Sequence, residues 1–180
     1  MENQPEVFGK DRLLQKESAV NATKDLKQQR IKGVQVKFIR PVPHEDGTLA
    51  EVARADWDEI EHPIVQVHLT TTEAGRMRAW GLHQFSTDRL FVVKGLISIV
   101  VYDAILDSET YGVTNEFKVS ERNPVMLVIP PNLYHGWKNI GTEEAFVINM
   151  PTSIYDYDHP DALDLDYNAP YAKDIVPHRW

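Results

Sequence analysis

Residues 90–102 read Leu-Phe-Val-Val-Lys-Gly-Leu-Ile-Ser-Ile-Val-Val-Tyr, two apolar runs of strand length on either side of a Lys94-Gly95 turn. Such runs are typical of buried β-strands, and their spacing predicts a hairpin. Further strands are predicted at residues 34–38, 64–70, 125–129 and 145–148. Short strands separated by turns, with almost no helical periodicity after residue 33, predict an all-β sandwich or closed barrel.

The two ends of the chain differ from this central region. Residues 1–33 have a mixed pattern, in which Asn21 is a candidate N-cap of a short helix that ends at Lys27. Residues 34–154 carry the predicted barrel. Residues 155–180 contain many aspartates and prolines, so we expect an irregular strap that wraps the barrel. A chain of 180 residues is expected to form one domain overall.

Composition and charge exclude several classes of function. The chain has no cysteine, which excludes disulfides, thiolate nucleophiles and thiolate-bound metals. The net charge is −8, and residues 1–40 carry nine basic against five acidic residues, so the remainder sums to −12. An acidic body disfavours nucleic-acid binding. No apolar run reaches the ~18–20 residues of a membrane span, and the polar opening lacks a secretory layout, so we expect a cytoplasmic protein with no membrane partner.

Polar residues suited to chemistry gather in two segments. Residues 75–95 bring His83, Asp88 and Arg89 close together, and residues 130–139 hold His135 after a proline-bounded turn. This spacing resembles the two sequence motifs of the cupins, although Asn132 stands where the second motif usually has glycine. The resemblance implies a cupin-type double-stranded β-helix, a jelly-roll barrel whose mouth both segments line.

The first motif differs from that of metal-binding cupins. The pattern in those proteins has two histidines one residue apart, a later carboxylate and the histidine of the second motif. Only His83 stands in the first motif here, which leaves at most His83, His135 and either His68 or Asp88 as ligands. Since a divalent metal needs three or four well-placed ligands, the sequence predicts no native metal and no other cofactor.

A sharper resemblance extends over residues 34–170. Its passages are Gln66-Val-His68 before Gly75, Gly81-Leu-His83, Val101-Tyr-Asp103 with Ser108-Glu-Thr-Tyr-Gly112, and Ile129-Pro130 to His135-Gly-Trp137. In this order and spacing the chain resembles the dTDP-4-dehydrorhamnose 3,5-epimerase family, cupin barrels that act on deoxysugar nucleotides without metal. The resemblance also implies a homodimer.

The resemblance implies a role for each polar residue. His83 would be the base that removes a proton beside a C4 ketone. Arg89, where the family usually has lysine, would stabilise the enolate oxygen or the substrate. Gln66, His68 and His135 would supply polar contacts, and Arg76 or Arg78 would meet the diphosphate. Trp80 replaces a family arginine, and it either stacks on the sugar or packs in the barrel wall.

Two parts of the family pattern are missing. Ile148 stands where the family has the tyrosine that returns a proton to the opposite face. Asn168 and Ala169 stand where the family has an acidic pair near the C-terminus. We therefore expect no obvious carboxylate to orient His83. The candidate substitutes are Tyr102, Tyr134, Tyr155, Asp164 and Asp166.

The sequence thus predicts an epimerase-like cupin that acts at C3, C5 or both of a nucleotide-linked 4-keto-6-deoxysugar, in deoxysugar or cell-surface polysaccharide biosynthesis. One alternative is a non-catalytic cupin that binds a sugar nucleotide or carbohydrate, which loss of the catalytic tyrosine and carboxylate would produce. A second is a metal-dependent cupin oxygenase or isomerase. In the first two cases the partner is a small nucleotide sugar or carbohydrate.

Overall fold

A computed structural model describes residues 29–180 of the chain, and this part is almost entirely β-structure. The elements in chain order are β1 Gln35–Phe38, β2 Val42–His44, β3 Gly47–Leu49, β4 His68–Thr72, β5 Met77–His83, β6 Asp88–Lys94, β7 Leu96–Tyr102, β8 Thr114–Ser120, β9 Val125–Ile129, β10 Tyr134–Asn139, β11 Ala145–Asn149, β12 Ala162–Asp164 and α1 Ala172–Ile175. The predicted N-terminal helix from Asn21 to Lys27 lies outside the described residues.

Two five-stranded antiparallel sheets form the barrel. One has the strand order β1-β9-β6-β11-β4 and the other β12-β5-β10-β7-β8, while β2 and β3 form a separate hairpin. From β4 to β11 the chain passes repeatedly from one sheet to the other. This is the jelly-roll architecture expected of a cupin, and the all-β prediction is confirmed.

The predicted hairpin at Lys94-Gly95 is wrong. Strands β6 and β7 are present as expected, but they belong to different sheets, and the turn carries the chain across the corner of the barrel. Gly95 has φ +97°, and a Cβ there would lie 2.7 Å from Cβ of Ala145, so the corner requires glycine. A glycine turn between apolar runs has the same appearance in sequence whether the strands pair or separate.

Three apolar clusters explain why the strand sequences are apolar on both faces. The main core lies between the sheets and includes Leu90, Ile99 and Leu127. A second cluster, around Phe91 and Met126, covers the outer face of the first sheet and packs against residues 50–60. A third covers the outer face of the second sheet with the C-terminal segment. Burial on both faces removes the alternation expected of a half-exposed strand.

The predicted strand at residues 64–70 begins later than expected, at His68. Its polar positions Gln66, His68 and Thr70 line cavities, whereas Val67 and Leu69 are 57% and 58% exposed. The polar face is therefore the functional one.

The C-terminal segment is more ordered than the expected irregular strap. Strand β12 pairs with β5, so that Ala162 lies opposite His83 and Asp164 opposite Gly81. Beyond it, α1 and Val176 pack against Trp80. The segment thus extends the second sheet and supplies one wall of its open end.

Among residues 29–180, none of the helices has the length and apolar character that a membrane span requires.

Candidate active site

Two adjoining cavities, of about 550 and 480 Å³, open beside strand β5. The residues that line both are His68, Arg78, His83, Asp88, Asn149, Ala162 and Asp164. Five of these seven shared residues are ionisable. Cavities of a few hundred cubic ångströms with converging polar groups are the usual form of a small-molecule site.

Asp88 lies at the centre of this shared wall and is only 3% exposed. Its Oδ1 accepts a hydrogen bond of 2.7 Å from Nδ2 of Asn149. Its Oδ2 lies 3.1 Å from Nε2 of His135 and 3.5 Å from Nε2 of His83. Burial works to raise the pKa of Asp88, but the contacts with His135 and His83 outweigh it and hold this pKa far below its usual range. Asp88 is therefore a buried carboxylate anion.

His135 faces an acceptor on each ring nitrogen. Its Nδ1 lies 3.0 Å from the carbonyl oxygen of Leu133, which only accepts, so Nδ1 carries a hydrogen. Its Nε2 faces the Asp88 carboxylate. Both ring nitrogens of His135 therefore lie within reach of a hydrogen-bond acceptor. The preceding turn depends on Asn132, which has φ +66°, a conformation that asparagine tolerates in place of the usual glycine.

His83 stacks against His135, with ring centroids 5.8 Å apart and 24° between the planes. Its Nδ1 lies 3.6 Å from Oδ2 of Asp161 and has no hydrogen-bond partner among residues 29–180. The Asp88 carboxylate is the main cause that raises the pKa of His83 above its ordinary value, with Asp161 and Asp164 assisting and burial opposing. His83 is thus an imidazole whose affinity for a proton is increased by its surroundings.

Asp161 fixes the loop that follows His83. Its carboxylate accepts hydrogen bonds from the backbone N–H groups of Gln84, Phe85 and Ser86, at 2.9–3.3 Å. The expectation that no carboxylate would orient His83 is wrong, because Asp88 and Asp161 flank its ring from opposite sides.

Comparison with known proteins decides the family. The profile of the dTDP-4-dehydrorhamnose 3,5-epimerase family matches residues 28–171. The chain belongs to this family. A probable low-salt glycan biosynthesis epimerase of Haloferax volcanii is 36% identical over 139 residues, which is 77% of this chain and 89% of that protein. The spore coat polysaccharide biosynthesis protein SpsL of Bacillus subtilis is 29% identical over 150 residues, 83% and 96% of the two chains.

A solved structure shows the same fold. The dTDP sugar isomerase of Desulfovibrio desulfuricans superposes with a TM-score of 0.75 at 24% identity, over 83% of this chain and 92% of that one. The jelly-roll fold of this chain is therefore shared with a solved dTDP sugar isomerase.

Most of the polar residues that the family resemblance implies do line the cavities. His68, Arg78, His83 and His135 line the first cavity, and all but His135 also line the second. Gln66 lines the second, where its Oε1 accepts the backbone N–H of Tyr155.

Two of the implied substrate-binding residues are placed differently from the others. Arg76 lines neither cavity. Its side chain is 78% exposed, and its Nε lies 3.7 Å from Oε2 of Glu73. Trp80 lines the first cavity but is buried, and its ring stacks on Trp180 at 5.1 Å, which favours the wall-packing interpretation over sugar stacking.

Arg89 is not brought to the site. Its guanidinium is buried on the other face of β6, where it donates to the carbonyl oxygens of His62 at 2.7 Å and Met150 at 3.4 Å. Because successive side chains of a strand point to opposite faces, Asp88 and Arg89 cannot both enter the cavity. No cation therefore enters the cavity from position 89, where the family usually has lysine.

Ile148 also faces away from the cavities. It packs against the outer cluster of Phe91 and Met150, whereas Val147 and Asn149 line the first cavity. No aromatic hydroxyl group therefore enters the cavity from position 148. Of the substitutes named from sequence, Tyr155 lines the second cavity, Asp166 the first, and Asp164 both.

Sequence reasoning missed the roles of Asp161 and Asn149 in this network. Asp161 is the second of two acids that flank His83, and Asn149 is the partner that anchors Asp88. Asn149 had a usable signal, because it follows the apolar run at 145–148 in register with inward-facing Val147. Asp161 had none that distinguished it from the other aspartates of the tail.

Proposed function

We propose that this protein is an epimerase of a nucleotide-linked 4-keto-6-deoxysugar and that it acts in the biosynthesis of a deoxysugar-containing polysaccharide. The observation that carries the proposal is the position of His83, whose ring lies between Asp88 and Asp161 on the wall shared by both cavities. Membership of the epimerase family supports this substrate class. The names of the relatives in Haloferax and Bacillus support a place in glycan or polysaccharide biosynthesis.

His83 acts as the general base in this proposal. The C4 ketone acidifies the hydrogens on C3 and C5, and a neutral imidazole removes one of them. The imidazolium that forms is stabilised by the carboxylates of Asp88 and Asp161, 3.5 and 3.6 Å from its two nitrogens. A base that gains a proton between two anions is stronger than an isolated histidine.

His135 takes the role that the family resemblance implied for Arg89. The enolate oxygen needs a cation or hydrogen-bond donor while its charge develops. His135 lies in the cavity wall, its Nδ1 hydrogen is held by Leu133, and its Nε2–H points toward Asp88. A small rotation of the His135 ring turns its Nε2–H from the Asp88 carboxylate toward the enolate oxygen of the bound sugar. This N–H is then the hydrogen-bond donor.

Arg78 is the candidate contact for the diphosphate. It lines both cavities, and its guanidinium carbon lies 5.9 Å from the centre of the Trp137 ring. The surrounding carboxylates of Asp164 and Asp166 would repel a phosphate, so this cation has a large effect on whether a nucleotide sugar binds.

Proton return is the weaker half of the reaction. Inversion requires a donor on the opposite face of the sugar, and the position of the family tyrosine is occupied by outward-facing Ile148. Tyr155 and Asp164 line the second cavity and are the candidates for this step. We expect exchange of the C3 or C5 hydrogen with solvent to be faster than net epimerisation.

The test is solvent exchange in deuterium oxide. Purified protein is incubated with dTDP-4-keto-6-deoxyglucose, and NMR follows the C3 and C5 protons while chromatography follows the epimers. Loss of either proton signal at a rate far above the buffer rate is expected. Saturable binding without any exchange would contradict the proposal and favour the non-catalytic binding protein. A homodimer remains a prediction, which sedimentation of the same sample checks.

A further inference from the structure

The space between His83, Asp88 and His135 is bounded by three donor atoms that metal ions prefer. One ligand atom from each residue lies within 4.8 Å of the other two. We propose that these residues form a binding site for a divalent transition-metal ion of the zinc type, and that the bound ion inhibits the enzyme. The sequence predicts no resident metal, and the inference concerns an exogenous ion. Its inhibitory part rests on the proposed function, whereas the binding part does not.

The distances in the cluster suit a tetrahedral ion on two of its three edges. Zinc bound at 2.0–2.2 Å by nitrogen and oxygen sets its ligand atoms about 3.3 Å apart. Oδ2 of Asp88 lies 3.1 Å from Nε2 of His135 and 3.5 Å from Nε2 of His83. The third edge, between the two imidazole nitrogens, is no longer than 4.8 Å, and the half-buried His83 ring is the ligand that can adjust it.

The ligands are held by surrounding groups in the way metal ligands usually are. His135 donates its Nδ1–H to the carbonyl oxygen of Leu133, which leaves the Nε2 lone pair for the ion once the proton is displaced. Asp88 is anchored through Oδ1 by Asn149, which leaves Oδ2 as the ligand atom. The ligand atoms of His135 and Asp88 are therefore fixed by their neighbours, and His83 is the ligand that adjusts.

The electrostatics of the site favour a divalent cation. Asp161 and Asp164 add negative charge near His83, and the guanidinium of Arg89 is on the other face of the sheet. A zinc ion bound here compensates the anionic Oδ2 of Asp88 directly and forms bonds to two imidazoles. The ligand set of nitrogen and oxygen suits zinc and the neighbouring first-row metals.

Occupancy of this site has a chemical consequence for proton transfer. The ion takes the lone pair of Nε2 of His83, one of the two ring nitrogens through which the base must gain or hold a proton. It also removes the Nε2–H of His135 as a donor. Zinc and the proposed reaction are therefore mutually exclusive, and removal of the ion restores activity.

Binding is tested on the full chain after treatment with EDTA and dialysis. Zinc is titrated against a chromogenic chelator, and about one ion per chain is expected. His135→Gln and Asp88→Asn are expected to weaken binding by at least about tenfold, since even groups behind the ligands have such effects. His44→Gln, on the exposed β2–β3 hairpin, is the matched control and should bind like the wild type. Equal affinity in all four proteins, or no binding by the wild type, overturns the inference.

Cobalt gives a readout that needs no variant. With Co²⁺ in place of zinc, the wild-type protein should show intense visible absorption bands of a low-coordinate site, and a spectrum like that of the aqueous ion overturns the inference. In the exchange assay, zinc should abolish deuterium incorporation and EDTA should restore it. Binding with undiminished exchange overturns the inhibitory part. If the metal-free protein exchanges nothing, the proposed function fails while the titration still decides the site.

Discussion

Asp88 and Arg89 are neighbours in strand β6, and their charged groups lie on opposite faces of the sheet. Asp88 meets His83 and His135 in the cavity wall, whereas Arg89 binds the carbonyl oxygens of His62 and Met150 behind it. The buried anion therefore belongs to the site and the buried cation belongs to the scaffold that holds residues 62 and 150.

This separation predicts the behaviour of Arg89→Met. Loss of the two donors leaves carbonyl groups unpaired, so the free energy of unfolding should fall by about 2 kcal/mol. Deuterium exchange per folded molecule should stay within about twofold of wild type, because no reacting group has changed. Urea unfolding and the NMR assay measure the two quantities. A tenfold slower exchange at unchanged stability would contradict this prediction and show that Arg89 takes part in catalysis.

Arg76 and Arg78 form a matched pair for testing the diphosphate contact. Arg78 lines both cavities, and Arg76 is an exposed residue outside them. Arg78→Ala should weaken binding of dTDP by about tenfold, the effect of about one charge-assisted hydrogen bond. Arg76→Ala should change it little. Calorimetry with dTDP decides between them, and equal losses in both variants would contradict the assignment.

A side chain added at Gly81 and one added at Gly136 would meet different surroundings. A Cβ at Gly81 would lie 3.9 Å from Nε2 of His135 and 4.0 Å from Oδ1 of Asp164, where it fits but projects into the site. A Cβ at Gly136 would lie 2.6 Å from that of Ala79. Gly81→Val should therefore keep the melting temperature and lose ligand affinity, whereas Gly136→Ala should lower the melting temperature by several degrees. Thermal melts with and without dTDP test both, and the reverse pattern would contradict this placement.

Stability should depend on pH through Asp88 and His83. The pKa of Asp88 is depressed in the fold, so its contribution is complete above the unfolded value of about 4 and is lost as pH falls below it. The pKa of His83 is raised, so its contribution is complete below the unfolded value of about 6.5 and is lost as pH rises through the folded value.

Asp88→Asn tests this pH dependence. The variant removes both the depressed carboxyl and the main cause of the shift at His83. It should be less stable at pH 6 by about 3 kcal/mol, the usual effect of breaking a buried pair. Its free energy of unfolding should also vary less with pH on both flanks. Urea titrations from pH 3 to 8 provide the comparison, and curves parallel to wild type would show that Asp88 is not the linked group.

The sequence was sufficient for the family, the barrel and the strands at residues 90–102, 125–129 and 145–148, because apolar runs bounded by glycine and proline report burial directly. It was not sufficient for the partners of those strands. The turn at Gly95 has the same appearance in sequence whether β6 pairs with β7 or leaves for the other sheet, and only the close approach to Ala145 distinguishes the two cases.

Within the site, His83 and His135 were found from their motifs, and the error at Arg89 was one of register by a single residue. Asp88 precedes Leu90 and Val92 at intervals of two, and both of these face the core, so alternation alone would have placed Asp88 inward. Asp161 was beyond sequence reasoning. Its approach to His83 depends on the pairing of β12 with β5, a contact between residues far apart in the chain.

The most direct test of the proposed function is solvent exchange by His83→Asn. Asparagine keeps part of the shape and hydrogen bonding of histidine and removes the base, so the rate of deuterium incorporation into dTDP-4-keto-6-deoxyglucose should fall by about 100-fold or more. The affinity for dTDP, measured on the same sample, should change much less. Incorporation at the wild-type rate by His83→Asn would contradict the assignment of His83 as the base.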